Sequence, residues 1–294
     1  MKPSYLIILL VMNFFWAAVY SAYKLIGQNL PTGAIVTLRF GLAGLCLLIA
    51  WPWLPGLAPR GRDLVVTCVM GLVLFVLGQR LQVYGNYLGR AGDSSVLMAF
   101  EPLITSVIAG IFLREQIGPR RWAGFALGIA GVALLHGVWR SDFQWAGLSA
   151  SLIFISSFVC EAAYSVMGKP IVARASIMKM LAITLVVGTI ANLAIDGSKT
   201  FAAARALQFQ GWLLLLGLAT ICTAIGYSLW FIVIRECPVN VAALTVFAQS
   251  VFGVTLAALW LHETLHWGQF FGCLAIVGGL VLGLSRQINF PLRT

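Results

Sequence analysis

Apolar residues run along this chain in ten blocks, each ended by charged, Pro or Gly clusters. The blocks fall at residues 4–26, 32–54, 64–87, 91–113, 119–137, 145–168, 176–196, 209–234, 239–261 and 266–285. About 20 mostly apolar residues cross the hydrocarbon core of a bilayer as an α-helix. The pattern therefore predicts an all-α polytopic integral membrane protein with ten transmembrane helices. The first block follows Lys2 as a signal peptide would, but it holds Trp16, Tyr20, Tyr23 and Lys24 and no small-residue cleavage site, which predicts a retained helix.

The blocks repeat. An offset of 148 residues lays Gly78 on Gly226, Leu113 on Leu261, Glu115 on Glu263, Gly124 on Gly272, Gly131 on Gly279 and Leu134 on Leu282. Two five-helix repeats follow, residues 1–137 and 138–294. An odd number of spans per repeat forces the two to insert in opposite senses, which predicts inverted repeats with a site near the midplane where they meet.

Charge gives the scaffold a direction. With the N terminus in the cytoplasm, the inner connections hold twelve basic residues, Lys2, Arg60, Arg62, Arg114, Arg120, Arg121, Lys169, Arg174, Lys179, Arg235, Arg286 and Arg293. The outer connections hold four, Arg90, Arg140, Lys199 and Arg205. Both termini are expected in the cytoplasm, in a multi-pass protein of the inner, cytoplasmic membrane. The neighbourhoods of the paired glutamates agree: Arg114, Arg120 and Arg121 surround Glu115, whereas His262, Gly268 and Gln269 surround Glu263. Trp residues near most span ends suit the headgroup layer.

Composition narrows the function. The chain is 61% hydrophobic and only 10% charged, well below the roughly one quarter charged of soluble domains. A net charge of +10 spread singly and in pairs between spans is explained by topology and implies no nucleic-acid partner. The six cysteines lie in or at the ends of spans and read as small buried apolar residues. His136, His262 and His266 sit near span ends without carboxylate or Cys neighbours at ligand spacing, so no metal is expected. No phosphate-cradling glycine loop and no nucleophile constellation occurs, so neither a cofactor nor direct ATP use is expected.

Charges deep in spans are costly and need partners or water. Arg80 in the third run and Glu101 in the fourth belong to adjacent antiparallel helices. They either form a structural salt bridge or both face a central aqueous cavity, Arg80 drawing an anionic or carbonyl group and Glu101 a cationic group or a proton. Glu161 is a second candidate carboxylate for substrate or proton, whereas Arg39, nearer the outer side, reads as a packing or snorkelling residue. Pro102 predicts a kink beside Glu101; the equivalent pair, Gln249 and Ser250, keeps polarity but loses charge and kink, so the centre should be asymmetric. Trp16 with Tyr20, and Tyr227 with Trp230, share helical faces and suggest an aromatic-lined pocket or plain packing. Small-xxx-small pairs at Gly124 and Gly128 and at Gly279 and Gly283 favour close helix packing within the molecule over dimerisation, leaving monomer and homodimer both open.

These features resemble the ten-helix EamA-type branch of the drug/metabolite transporter superfamily over nearly the whole chain. The likeness rests on WAAVYSAYK at Trp16–Lys24, on the Arg39–Phe40 pair, and on EPLITSVIAGIFLREQIGPRRWAGFALGIAGVALL at residues 101–135, with residues 217–284 similar to a second copy. Ser250 stands where that copy usually has Pro, and Glu161 where the family often has an aromatic or small residue. The resemblance implies movement of small metabolites such as amino acids, driven by gradients or exchange, through a cavity lined by helices 1, 3, 4, 6, 8 and 9. Mapped onto this chain, it places Trp16, Tyr20, Arg80, Glu101, Glu161, Tyr227, Trp230 and Gln249 at the substrate. The expected function is secondary active or facilitative transport of an amino acid or similar zwitterionic or aromatic solute by alternating access, with export as the expected direction. Its partners would be the small-molecule substrate, protons as a coupling ion, and the lipid bilayer. An intramembrane enzyme acting on a lipid-linked substrate is the alternative from another class.

Overall fold

The computed structural model describes residues 1–27, 31–88, 97–140, 147–261 and 267–285. Ten helical rods and no strand occur among the described residues. The first half comprises α1 (Pro3–Gly27), α2 (Thr32–Ile49), α3 (residues 62–88), α4 (residues 98–112) and α5 (Pro119–Leu135). The second comprises α6 (Leu148–Val172), α7 (Ile177–Ala206), α8 (residues 209–236), α9 (residues 239–261) and α10 (Trp267–Leu284). Five segments, Arg62–Gly85, Leu148–Val172, Ile177–Ala206, Phe209–Glu236 and Trp267–Leu284, are long and apolar enough to cross a membrane. Large apolar side chains such as Ile49, Leu148, Phe209 and Val281 point outward on these rods. Such a surface is stable only against lipid.

The interruptions obey the repeat. In α3 the winding widens to a π-helix over Leu72–Gly78, and in α8 over Leu218–Ile225, an overlapping stretch at the 148-residue offset. A 3-10 turn, Met98–Phe100, opens α4, and one at Thr245–Phe247 breaks α9 at nearly the equivalent place. The expectation that only the first copy is broken, at Pro102, is corrected here. Pro102 occupies the first turn of the helix that follows the break, and α9 breaks without any proline. There the Thr245 hydroxyl donates to the Ala242 carbonyl at 2.7 Å and supplies a local alternative to the regular ladder.

α5 and α10 cross with their backbones in contact. A Cβ placed on Gly124 would stand 2.8 Å from the Gly279 carbonyl oxygen, and one on Gly131 would stand 2.7 Å from that of Gly272. Gly272 and Gly279 are the sequence equivalents of Gly124 and Gly131. Each residue thus meets the image of the other, the exchange of contacts a two-fold axis produces, and the two helices run antiparallel.

Ion pairs tie the halves together on the face where the N terminus lies. Lys2 pairs with Glu236 at 3.1 Å, and that carboxylate holds the lysine above its ordinary pKa. Asp63 receives both Nε and Nη2 of Arg174 at 2.7 Å. Glu115 accepts from Lys169 Nζ at 2.8 Å, from the backbone N–H groups of Val239 and Asn240 at 2.8 and 2.9 Å, and from Asn240 Nδ2 at 2.9 Å. A first-half carboxylate therefore caps the N terminus of α9, where free N–H groups and the helix dipole favour negative charge. Arg121 fixes Asn240 through its side-chain oxygen. Glu263, the sequence equivalent of Glu115, lies outside the described residues.

One boundary differs from expectation. The seventh run was expected to end at residue 196, but α7 continues to Ala206 past a non-helical Asp196 (φ −143°, ψ 33°). Lys199 and Arg205, expected in a loop, lie on this continuation.

Candidate functional site

Where the interrupted helices meet, a cavity opens between the halves in two connected lobes that share Trp16, Glu101, Glu161 and Tyr227. The lobe nearer the N-terminal face is completed by Pro102 and Thr105 of α4, Tyr164 and Ser165 of α6, Trp230 of α8, and Ala243 and Val246 of α9. The lobe farther from that face adds Val19, Arg39, Gln79, Gln82, Met98 and Gln249. Their volumes, ≈ 20 and ≈ 50 Å³, accommodate a few water molecules.

Six of the eight residues expected at the substrate converge here: Trp16, Glu101, Glu161, Tyr227, Trp230 and Gln249. Aromatic rings form one wall. Trp16 lies 5.5 Å from Tyr227 and 6.2 Å from Trp230, ring centre to ring centre. Both indole N–H groups are committed to protein acceptors, Trp16 to the Cys222 carbonyl at 2.8 Å and Trp230 to Ser165 Oγ at 3.0 Å. The Cys222 carbonyl belongs to the π stretch of α8. Gly226, just beyond that stretch, allows the approach, because a Cβ there would lie 2.8 Å from Trp16 Nε1. The indoles are thus locked in place and cannot donate to a solute.

The carboxylates are unequal. Glu161 Oε1 accepts from Gln79 Nε2 at 3.2 Å. Glu101, by contrast, receives no hydrogen bond or ion pair from the described residues, although it lines both lobes. A lone carboxylate at this depth is stable only with a proton, water or a cationic solute beside it.

Arg80 is placed elsewhere. Its Nε donates to Asn192 Oδ1 at 2.7 Å and its Nη2 to Asp196 Oδ2 at 2.9 Å, both on α7, and it lines neither lobe. Neither a bridge to Glu101 nor a cavity position is formed. The wide winding over Leu72–Gly78 changes the angular phase of everything after it, so Gln79 rather than Arg80 meets Glu161. That winding also releases the Phe75 carbonyl, which accepts from Asn192 Nδ2 at 2.8 Å. Asp196 Oδ1 is buried without a hydrogen-bond partner among the described residues, and Gly33 packs so closely that a Cβ would stand 2.2 Å from Oδ2. Arg80→Ala, which leaves this carboxylate uncompensated, is expected to lower stability by about 2 kcal/mol. Thermal unfolding in detergent checks this, and an unchanged midpoint would sink it.

Arg39 takes the place expected of Arg80. It is 5% exposed, its Nε donates to Thr223 Oγ1 at 2.8 Å, and it lines the same lobe as Glu101 and Glu161. Its charge inside a run was the available signal, but depth along the run suggested a packing role. Asn13, Gln79, Tyr164 and Ser165 were also missed; each is a polar group in an otherwise apolar block. Tyr20 lies on α1 one turn past Trp16, and its side chain is outside the described residues.

An aromatic and acidic cavity lined by broken helices of both halves fits a membrane transporter of small solutes. The chain belongs to the EamA-like transporter family, whose pattern matches residues 3–137 and again 148–285. It is 24% identical over 285 residues to a probable terminal-alkyne amino-acid exporter of Streptantibioticus cattleyicolor, covering 95% of this chain and 90% of that one. It is 25% identical over 282 residues to a probable amino-acid metabolite efflux pump of Escherichia coli K12, covering 92% and 91%. An uncharacterised inner membrane transporter of the same strain is 28% identical over 287 residues, covering 95% and 90%. A protein of known crystal structure shares the fold with a TM-score of 0.76 at 18% identity, over 99% of this chain and 100% of that one. The alternative of an intramembrane enzyme falls with this assignment: the protein is a multi-pass membrane transporter.

Proposed function

We propose that this protein is an alternating-access carrier that exports a small zwitterionic or aromatic metabolite of amino-acid type across the cytoplasmic membrane, exchanging it for a proton at Glu101. The halves 1–137 and 138–294 are the units that move, and both termini face the cytoplasm. The observation that carries this reading is the unpartnered Glu101 carboxylate beside an aromatic wall, with the Arg39 guanidinium in the same lobe. Glu101 suits an ammonium or a proton by turns, Arg39 suits a carboxylate, and Trp16 and Tyr227 suit an aromatic or apolar side chain. The names of two relatives, an amino-acid exporter and an amino-acid metabolite efflux pump, support the same substrate class and direction.

The test is efflux of labelled amino acids, phenylalanine among them, from proteoliposomes of the purified protein. Acid on the trans side is expected to speed efflux several-fold, and tight coupling to one proton to raise the final concentration ratio about tenfold for each pH unit. No flux above protein-free liposomes for any amino acid would sink the proposal.

A further inference from the structure

The cavity poses two opposite demands on a cationic group. Its aromatic wall favours a quaternary ammonium, which needs no hydrogen-bond acceptor. Its acceptors favour a primary ammonium with three N–H groups to satisfy. A chain of side chains behind Gln249 decides between them.

The chain starts at two backbone carbonyls, which only accept. The Thr245 hydroxyl gives its single hydrogen to the Ala242 carbonyl at 2.7 Å, so its oxygen is left to accept. Asn13, fully buried, places its NH₂ against both the Leu9 carbonyl at 2.8 Å and Thr245 Oγ1 at 3.1 Å. A reversed Asn13 amide would set oxygen against oxygen at both contacts. Asn13 Oδ1 therefore faces Gln249 and accepts from its Nε2 at 2.9 Å. The orientation of the Gln249 amide is thereby fixed by the network.

The consequence lies at the other end of the Gln249 amide. Its Nε2 is committed to Asn13, and its Oε1 accepts no hydrogen bond from the described residues while the residue lines the lobe that holds Glu101 and Glu161. We infer that Gln249 Oε1 is a specificity-determining acceptor, held in place by Asn13 as a positioning residue, and that the site takes a primary ammonium in preference to its N-methylated forms. Three acceptors, Glu101, Glu161 and Gln249 Oε1, match the three hydrogens of R–NH₃⁺. Each methyl added to nitrogen removes one donor and strands one acceptor. This inference rests on the proposed carriage of a zwitterion and adds to it the substitution state of the nitrogen.

The probes are L-phenylalanine and its N-methyl, N,N-dimethyl and N,N,N-trimethyl derivatives, each titrated against the purified full-length protein by thermal shift and as competitors of phenylalanine efflux. Affinity is expected to fall at each step and by at least about tenfold across the series, the loss that follows when an acceptor of a charged hydrogen bond is left unsatisfied. Gln249→Met and Asn13→Leu are expected to bring phenylalanine and its N-methyl form to within about threefold of each other while the later steps, read by Glu101 and Glu161, remain. Asn13→Asp, protonated at this depth so that its O–H donates to the Leu9 carbonyl while its other oxygen accepts from Gln249 Nε2, is expected to retain the discrimination, a rescue that a purely structural role for Asn13 does not predict. Should Asn13→Leu fail to fold, Gln249→Met alone decides, since it keeps the length of the side chain and removes only the amide. Equal binding of the whole series by the unaltered protein, or an undiminished first step in Gln249→Met, overturns the assignment and leaves the carrier proposal standing. Absence of binding by any of the four overturns both.

Discussion

Glu101→Gln is expected to remove the effect of a pH gradient on transport and to slow net efflux by about a hundredfold, the loss that follows when a charged partner of a bound ammonium becomes neutral. The variant should fold as well as the parent. Glu101 receives no hydrogen bond or ion pair from the described residues, so neutralising it breaks nothing and lowers the cost of a buried charge. Stability and transport should therefore separate: an unfolding midpoint unchanged or raised, with flux lost. Glu161→Gln is the comparison, because that carboxylate already has Gln79 at 3.2 Å and shares its lobe with Arg39. Flux from proteoliposomes with and without a pH difference measures both. If Glu101→Gln transports at the parental rate and still responds to pH, the proton has another carrier and the central role given to this carboxylate is wrong.

The second large effect is structural. Gly131→Leu is expected to destabilise the protein by more than about 3 kcal/mol, the upper end of overpacking costs, because the bulk has no space to enter. Even a Cβ would stand 2.7 Å from the Gly272 carbonyl oxygen and 2.9 Å from the Ile276 backbone nitrogen, and backbone does not give way as a side-chain tip does. The reciprocal change Gly272→Leu should cost a similar amount, since its Cβ would meet the Gly131 carbonyl oxygen at 2.6 Å. Gly278→Leu, on the same α10 helix but with nothing within 4 Å, should be tolerated. Yield of folded protein and the detergent unfolding midpoint test the three together; Leu is a better helix former than Gly, so equal loss in all of them would show that the crossing is not what the substitutions disturb.

The scaffold was legible because it depends on quantities that survive without coordinates. Apolar length sets the spans, and the recurrence of Glu115 and Glu263 with their following glycines set the repeat. Close helix packing was expected at the small-xxx-small pairs without a partner being assigned, and the α5–α10 crossing is found at these glycines. The centre was legible by residue type but not by facing. Trp16, Glu101, Glu161, Tyr227, Trp230 and Gln249 converge as expected, whereas Arg80 and Arg39 exchange the roles expected of them. Regular helical spacing cannot show this, because the π winding over Leu72–Gly78 rotates Gln79 and Arg80 away from their regular phase. Hydropathy has the same blind spot for the broken α4 and α9 helices, which differ from straight ones in hydrogen bonding rather than in composition. Asn13 carried little signal alone, and its importance comes from Thr245 and Gln249, over two hundred residues away in the chain.

The ion pairs on the N-terminal face bear on how the molecule is made. Lys2, Asp63 and Glu115 all leave the ribosome before any of their partners, which follow 234, 111 and 54 residues later at Glu236, Arg174 and Lys169. The last N–H donors to Glu115 arrive only with Val239 and Asn240. Asp63 and Glu115 gain their basic partners with α6 and the turn after it, whereas Lys2, the cap on α9 and the glycine face of α5 wait for the last three helices. Assembly is consequently a late event in synthesis, and a chain cut before α9 lacks both the cap and the crossing that close the structure.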